Sequence, residues 1–326
     1  MLSLVGNAKN AGKTTVLGAL LTAHPYLRPG ITSIGLDGED LDTVSFLPKP
    51  QITLSPGALV ATAEGCLKQS DFAWQLLERT GIMTGLGEIV IVQARTAGAC
   101  LVGGPSSVKA MEQVVDSLLR LGADKVFIDG AFARSSHAAA GEALIYVAGA
   151  HQGPDMRRVA DNADYALRRF SLPAVDESLR FLAREQRPGW VDNQGAFHPI
   201  DAASALGQAQ QVLDQVPPDA PWLYLPGAAG PEFVRRFVQQ RDRHRCGLIL
   251  VDGLSIVAGD DALRHLFLME RPLRVLRPLR VAFVAANPYS PLGRRFDNAA
   301  FLAALRAVTD LTVINVLEDD AIAPNE

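Results

Sequence analysis

Apolar residues follow two rhythms along this chain. Short, nearly unbroken runs such as Leu2-Ser3-Leu4-Val5, Ile31-Thr32-Ser33-Ile34, residues 88–94 (EIVIVQA) and residues 125–130 (KVFIDG) have the length and content of buried strands. Residues 14–23 (TTVLGALLTA), 71–79, 107–121 (SVKAMEQVVDSLLRL) and 155–170 read instead as helices. Shorter strands are expected at 51–54, 99–102 and 144–147, and the closeness of 88–94 to 99–102 predicts a hairpin. Strands alternating with helices predict an α/β fold with a mainly parallel sheet covered on both faces.

The pattern loosens after residue 171, where Pro188-Gly189 and Pro217-Pro218 break any long element. It then restarts, with strands expected at 222–225, 248–251, 281–285 and 311–316 and helices at 231–240 and 301–308. A chain of 326 residues suits two domains. The expected division is a nucleotide-binding domain over residues 1–172 and a second α/β domain over residues 173–326. A strand in each half ends alike, Ile128-Asp129-Gly130 and Val251-Asp252-Gly253, which fits either a duplication or ordinary turn chemistry.

Composition narrows the classes. With 48% hydrophobic and 20% charged residues the chain is globular rather than disordered. Its 31 Lys+Arg against 35 Asp+Glu give a net charge of −4, so no overall positive field exists to hold nucleic acid or an anionic membrane. Cys66, Cys100 and Cys246 are far apart in sequence and lack metal-ligand spacing, as expected of thiols in a reducing compartment. The first strand begins at residue 2 and no apolar run has membrane-spanning length, so a cytoplasmic location is expected.

The first strand runs into Gly6-Asn7-Ala8-Lys9-Asn10-Ala11-Gly12-Lys13-Thr14-Thr15 and then into the first helix. Phosphate-binding loops have Gly, four residues, then Gly-Lys-Ser/Thr, and the first glycine position is held here by Asn7. Asn is among the few residues that enter the left-handed backbone region readily, so the departure is tolerable. In such a loop Gly6, Asn7, Ala11, Gly12, Lys13, Thr14 and Thr15 line the phosphates, with Lys9 and Asn10 adding contacts. Lys13 reaches the β- and γ-phosphates, and the Thr14 hydroxyl ligates Mg²⁺.

Asp129, at the end of an apolar strand, is the expected second magnesium-side acid, against the plainer reading of an acid that opens a turn with Gly130. Asp37, Glu39 and Asp40 follow the second strand, at the edge where open α/β sheets bind ligands. Asp37, nearest the strand, is the candidate for orienting the attacking water; a solvated turn is the plainer reading. Lys49, Arg134, Ser135, Ser136 and His137 are candidates for phosphate or substrate contact, or surface residues. Arg271, Arg274, Arg277 and Arg280 recur every third residue, which suits either a docking strip for an acidic partner or an exposed connector.

Loop, acids and alternation together resemble P-loop NTPases. "KNAGKTT" is similar to the loops of the nucleotide-binding adaptor of molybdenum-cofactor biosynthesis and of dethiobiotin synthetase. A longer resemblance, over "GNAKNAGKTT", "ITSIGLDGEDLDTV", "PKPQITLSPGALVATA", "TGI", "IDGAFARSSHA" and "NPYSPLGRRFD", is to the reactivating ATPase-type subunit associated with B12-dependent lysine 5,6-aminomutase and ornithine aminomutase. That resemblance implies an ATPase that acts on another enzyme beside a MutS-like subunit, with ATP and Mg²⁺ as its ligands. It also makes Asn287, Pro288, Ser290, Pro291, Gly293 and Asp297 a second functional edge, with Asn287 reading a base, or else a loop that caps the next helix. No Asn-Lys-x-Asp guanine-reading motif follows a strand, which favours ATP over GTP. The competing readings are a small-molecule ligase or kinase resembling dethiobiotin synthetase and an adaptor that binds nucleotide without turnover.

Overall fold

A computed structural model describes residues 1–6, 11–34, 51–131, 143–315 and 317. In chain order the first half runs β1 (Leu2–Gly6), α1 (Lys13–Ala23), β2 (Pro29–Ser33), β3 (Ile52–Leu54), β4 (Leu59–Ala63), α2 (Glu64–Leu67), β5 (Trp74–Thr84), β6 (Gly87–Ala94), β7 (Gly98–Cys100), α3 (Val108–Arg120), β8 (Lys125–Ala131), β9 (Ala143–Gly149) and α4 (Met156–Phe170). The second runs β10 (Gly189–Val191), β11 (Phe197–Pro199), α5 (Ala209–Asp214), β12 (Trp222–Leu225), α6 (Pro231–Gln239), β13 (Gly247–Leu250), α7 (Asp260–Leu268), β14 (Leu273–Val275), β15 (Val281–Asn287), α8 (Asn298–Arg306) and β16 (Val313–Ile314). The fold is mixed α/β with a large, mostly parallel sheet.

Two compact units divide the chain, one of residues 1–160 with 282–326 and the other of residues 161–281. This differs from the expected division at residue 172: the second unit is an insertion, and from Ala282 the chain returns to the first unit. Local periodicity carries no information about that return, because β15 reads as a buried strand whichever sheet receives it.

The first unit holds a nine-stranded sheet in the order β16-β15-β9-β1-β8-β2-β4-β6-β5. β1 lies parallel between β8 and β9, and β2 is parallel to both β8 and β4. Strands that precede β8 add on one side of β1; β9, β15 and β16 add on the other. β1 therefore sits at the reversal of strand order, where open α/β sheets bind ligands at the carboxyl ends. Helices cover both faces. Val16, Leu17 and Leu20 of α1 pack with Leu4, Ile31 and Phe127. A side chain added at Gly30 would meet Leu118 of α3 beside Val126, on the opposite side of the same strands. α3 starts cleanly because the Ser107 hydroxyl accepts from the Ala110 N–H.

Two expectations fail at the antiparallel end of this sheet. The sequence pattern predicts a helix over 71–79, but Trp74–Thr84 is the edge strand β5, paired antiparallel with β6 through the turn at Gly85-Leu86. β6 offers an apolar partner and a tight turn joins the two, which outweighs the helix-forming content of that stretch. Nor do the strands near 88–94 and 99–102 form a hairpin: β6 pairs with β4 and β5, and β7 pairs with β3.

The second unit has a five-stranded sheet, β11-β10-β12-β13-β14, with β12, β13 and β14 parallel. Leu223, Leu225, Leu248 and Leu250 face a core that includes Phe233 and Phe237 of α6 and Leu263 and Leu266 of α7. Tyr224 and Ile249 alternate to the other face against Leu179 and Leu182. The arginine series lies partly in β14 and forms no aligned strip. Arg271 donates to the Arg241 carbonyl at 2.9 Å, Arg274 to that of Leu273 at 3.0 Å and Arg277 to Asp252 at 3.2 Å.

Candidate functional site

β1 delivers the chain to the carboxyl edge of the large sheet at Gly6, and α1 begins there at Lys13. Gly12 is the N-cap of α1 with φ 98° and ψ 22°, a left-handed conformation that glycine adopts without strain. Among the described residues no side chain caps this helix. The first-turn amides of α1 therefore present an uncapped helix N-terminus, which favours negative charge. Ala11 is buried, Lys13 and Thr14 are half-buried and Thr15 is exposed.

β8 brings Asp129 to the same edge. The Thr14 hydroxyl donates to Asp129 Oδ2 at 2.7 Å, across 115 residues of sequence. Burial pushes the Lys13 ammonium below its ordinary range, and the negative charge of Asp129 opposes that shift. The Asp129 carbonyl also accepts from the Ile34 N–H at 3.0 Å, so one residue ties β8 to the end of β2. Thus Lys13, Thr14 and Asp129 lie together at this edge. Asn7, Lys9, Asn10 and Asp37 lie outside the described residues, as do Glu39, Asp40, Lys49, Arg134, Ser135, Ser136 and His137.

Thr14 and Asp129 fit a magnesium ion by the chemistry of their donors: one hydroxyl and one carboxylate, side by side, with phosphate oxygens and water left to complete six positions. Among the described residues no cluster of three His, Cys, Asp or Glu side chains could hold a metal by itself. A site that relies on phosphate for part of its coordination needs none.

The opposite flank of β1 is built by the returning chain. Asn287, at the end of β15, donates from Nδ2 to the Ala11 carbonyl at 3.3 Å and accepts from the Tyr289 N–H at 3.1 Å. A Cβ at Gly12 would collide with Asn287 Nδ2, and one at Gly149 with the Ala11 carbonyl. The ends of β9 and β15 thus both close on Ala11. Beyond them, Arg294 donates to the Ala150 carbonyl at 3.4 Å and His151 Nδ1 lies 3.4 Å from Ser290 Oγ. Asn287 is nearly buried, with both ends of its amide engaged by backbone. Asp297 caps α8, accepting from the Ala300 N–H at 2.8 Å.

Two hydroxyls also shape this edge. Ser33 Oγ donates to the Val102 carbonyl at 2.8 Å and accepts from Gly104 N–H at 3.1 Å; Thr62 Oγ1 donates to the Leu101 carbonyl at 3.2 Å and accepts from Gly103 N–H at 2.9 Å. Two buried hydroxyls thereby stitch the Gly103-Gly104 loop across the ends of β2 and β4. The run Gly-Gly-Pro-Ser-Ser before a helix was its available signal.

Compared with protein-family models, curated proteins and solved structures, the chain matches none. Among the described residues no helix is long and apolar enough to cross a membrane.

Proposed function

We propose that this chain is a P-loop protein that binds and hydrolyses ATP with Mg²⁺ and uses the nucleotide state to act on a partner enzyme. The observation that carries the reading is the Thr14–Asp129 hydrogen bond at 2.7 Å, beside Lys13 and at the uncapped start of α1. In this reading the α1 amides and Lys13 hold the triphosphate, and Thr14 and Asp129 hold the metal. A Mg²⁺ ion held by Thr14 and Asp129 would supply positive charge to the phosphate oxygens. Lys13, partly desolvated, acts on the phosphate charge more strongly than it would in water. Asp37 is assigned the orientation of the attacking water.

The partner assignment rests on the resemblance of those stretches to the reactivating subunits alone: a B12-dependent aminomutase as the enzyme acted on, beside a MutS-like subunit. The test is Mg²⁺-dependent phosphate release from ATP and GTP by the whole protein, alone and with an aminomutase of this class, with Lys13→Ala as control. Release that requires Lys13 supports the reading. Tight ATP binding with no release under either condition would replace it with a non-turnover adaptor, and no binding at all would end it.

A further inference from the structure

The Ala11 carbonyl is held from two sides. Asn287 Nδ2 donates to it at 3.3 Å, and Gly149 sits so close that a Cβ there would collide with it. The Asn287 amide fits only one way round: Oδ1 accepts from the Tyr289 N–H at 3.1 Å, which leaves Nδ2 for Ala11. The turn that carries Asn287 is fixed in its own right, with the Phe296 N–H donating to the Pro288 carbonyl at 2.9 Å and the Ser290 N–H to that of Arg294 at 2.8 Å. Asn287 is 6% exposed, so its bond to Ala11 meets little competition from water.

A peptide group is planar and trans, so its N–H points opposite to its carbonyl. Fixing the Ala11 carbonyl on Asn287 therefore also fixes the Gly12 N–H, on the side away from Asn287. Gly12 is the left-handed N-cap of α1, and the same amide fills the space beside it, since a Cβ on Gly12 would collide with Asn287 Nδ2. We propose, resting on the ATP reading above, that Asn287 is a positioning residue of the phosphate loop: it holds the Ala11–Gly12 peptide so that the Gly12 N–H is presented to a bound phosphate. Turned the other way, that peptide would set a carbonyl oxygen against the phosphate, so its orientation decides between attraction and repulsion. Asn287 does this from the returning chain, touching Ala11 and not the nucleotide.

The experiment compares the affinity of the whole protein for Mg²⁺-ATP and base-free Mg²⁺-tripolyphosphate in wild type and Asn287→Ser. The serine hydroxyl can still accept from the N–H two residues on, as Asn287 does, but is too short to reach Ala11. Asn287→Ser is expected to weaken both ligands equally, by about tenfold, the scale of one misplaced hydrogen-bond donor. In ATP turnover the loss is expected in KM, with kcat held within about twofold, because the contact serves bound substrate and transition state alike. Asn287→Leu, which fills a similar volume without a donor, serves if the serine variant fails to fold. Folded variants that keep wild-type affinity for tripolyphosphate overturn the positioning role and leave the phosphate loop standing: loss of ATP affinity alone would place Asn287 on the nucleoside, and loss of stability alone would make it purely structural. A fall in kcat with KM unchanged overturns it as well. Wild type that binds neither ligand overturns both the inference and the ATP reading.

Discussion

Asp129 lies near the end of the parallel strand β8 and Asp252 just past the parallel strand β13, each before a glycine, yet their surroundings differ. Asp129 is half-buried and meets the hydroxyl of Thr14, with Lys13 nearby. Asp252 is 1% exposed and is consumed internally: Oδ1 accepts from the Ser255 N–H and hydroxyl, both at 3.1 Å, and Oδ2 from Arg277 at 3.2 Å. Burial raises its pKa, against which Arg277 and Ser255 pull downward. The helix after the preceding strand differs as well. α6, like α1, follows a glycine N-cap with no side-chain cap, but Pro231 takes its first position and no Lys or hydroxyl follows in its first turn. An Asp-Gly strand end is a place where chemistry can be put; the partner brought opposite decides whether it is.

The sharpest break in that comparison is Lys13→Ala, expected to reduce ATP turnover about 100-fold or more, the scale of losing one charge-stabilising donor. Asp252→Asn in the same phosphate-release assay is expected to leave the rate unchanged. If both variants lose activity, the two aspartates are not divided between chemistry and structure as described.

Asp252→Ala is expected next, destabilising the protein by about 2 kcal/mol in urea unfolding because Ser255 loses a buried acceptor. Arg277 is half-exposed and can return to water, so it adds little. The pH dependence has a definite sign. A carboxyl whose folded pKa is raised gives stability that is full below its unfolded value, about 3.9, and lost as pH rises through the folded value. Relative to Asp252→Asn, which does not titrate, wild type should therefore gain stability as pH is lowered through that window. A gap independent of pH would show that the Asp252 pKa is unaltered by folding.

Asp129→Asn should raise the Mg²⁺ concentration for half-maximal turnover about tenfold, as expected when a carboxylate that orients a metal site is neutralised. It should also leave the fold intact, since its Thr14 contact can be kept by the amide oxygen. Smallest is Gly12→Ala, expected to cost about 1 kcal/mol from its left-handed backbone alone. If crowding against Asn287 adds to this, the double variant Gly12→Ala with Asn287→Ala will be more stable than the sum of the two single losses predicts.

Much of the fold was legible along the chain because its elements announce themselves locally. α3 and α4 carry helical spacing over several turns, β1, β8 and β12 are compact apolar runs, and Ser107 marks a helix start. β4 and β5 were not legible. The five residues Leu59–Ala63 are buried throughout and so lack alternation, and Trp74–Thr84 is a strand because β6 is there to pair with it. In the site, Lys13 and Thr14 were identified from a local pattern, and Asp129 as an acid at a strand end. The contact of Asn287 with Ala11 and the Ser33 and Thr62 hydroxyl bonds carry no local signal.

By itself the sequence determined the alternation of strands and helices, the run of Gly12, Lys13 and Thr14 at the start of a helix, and the absence of a strong overall charge. These depend on near neighbours: side-chain periodicity, backbone freedom and the donors that adjacent residues carry. Only the tertiary structure decided that Thr14 meets Asp129 and not Asp252, and that the chain returns at Ala282 to place Asn287 on Ala11. Strand order follows from the burial available to the whole chain against the entropy of closing its long loops, a balance that no short stretch of sequence contains.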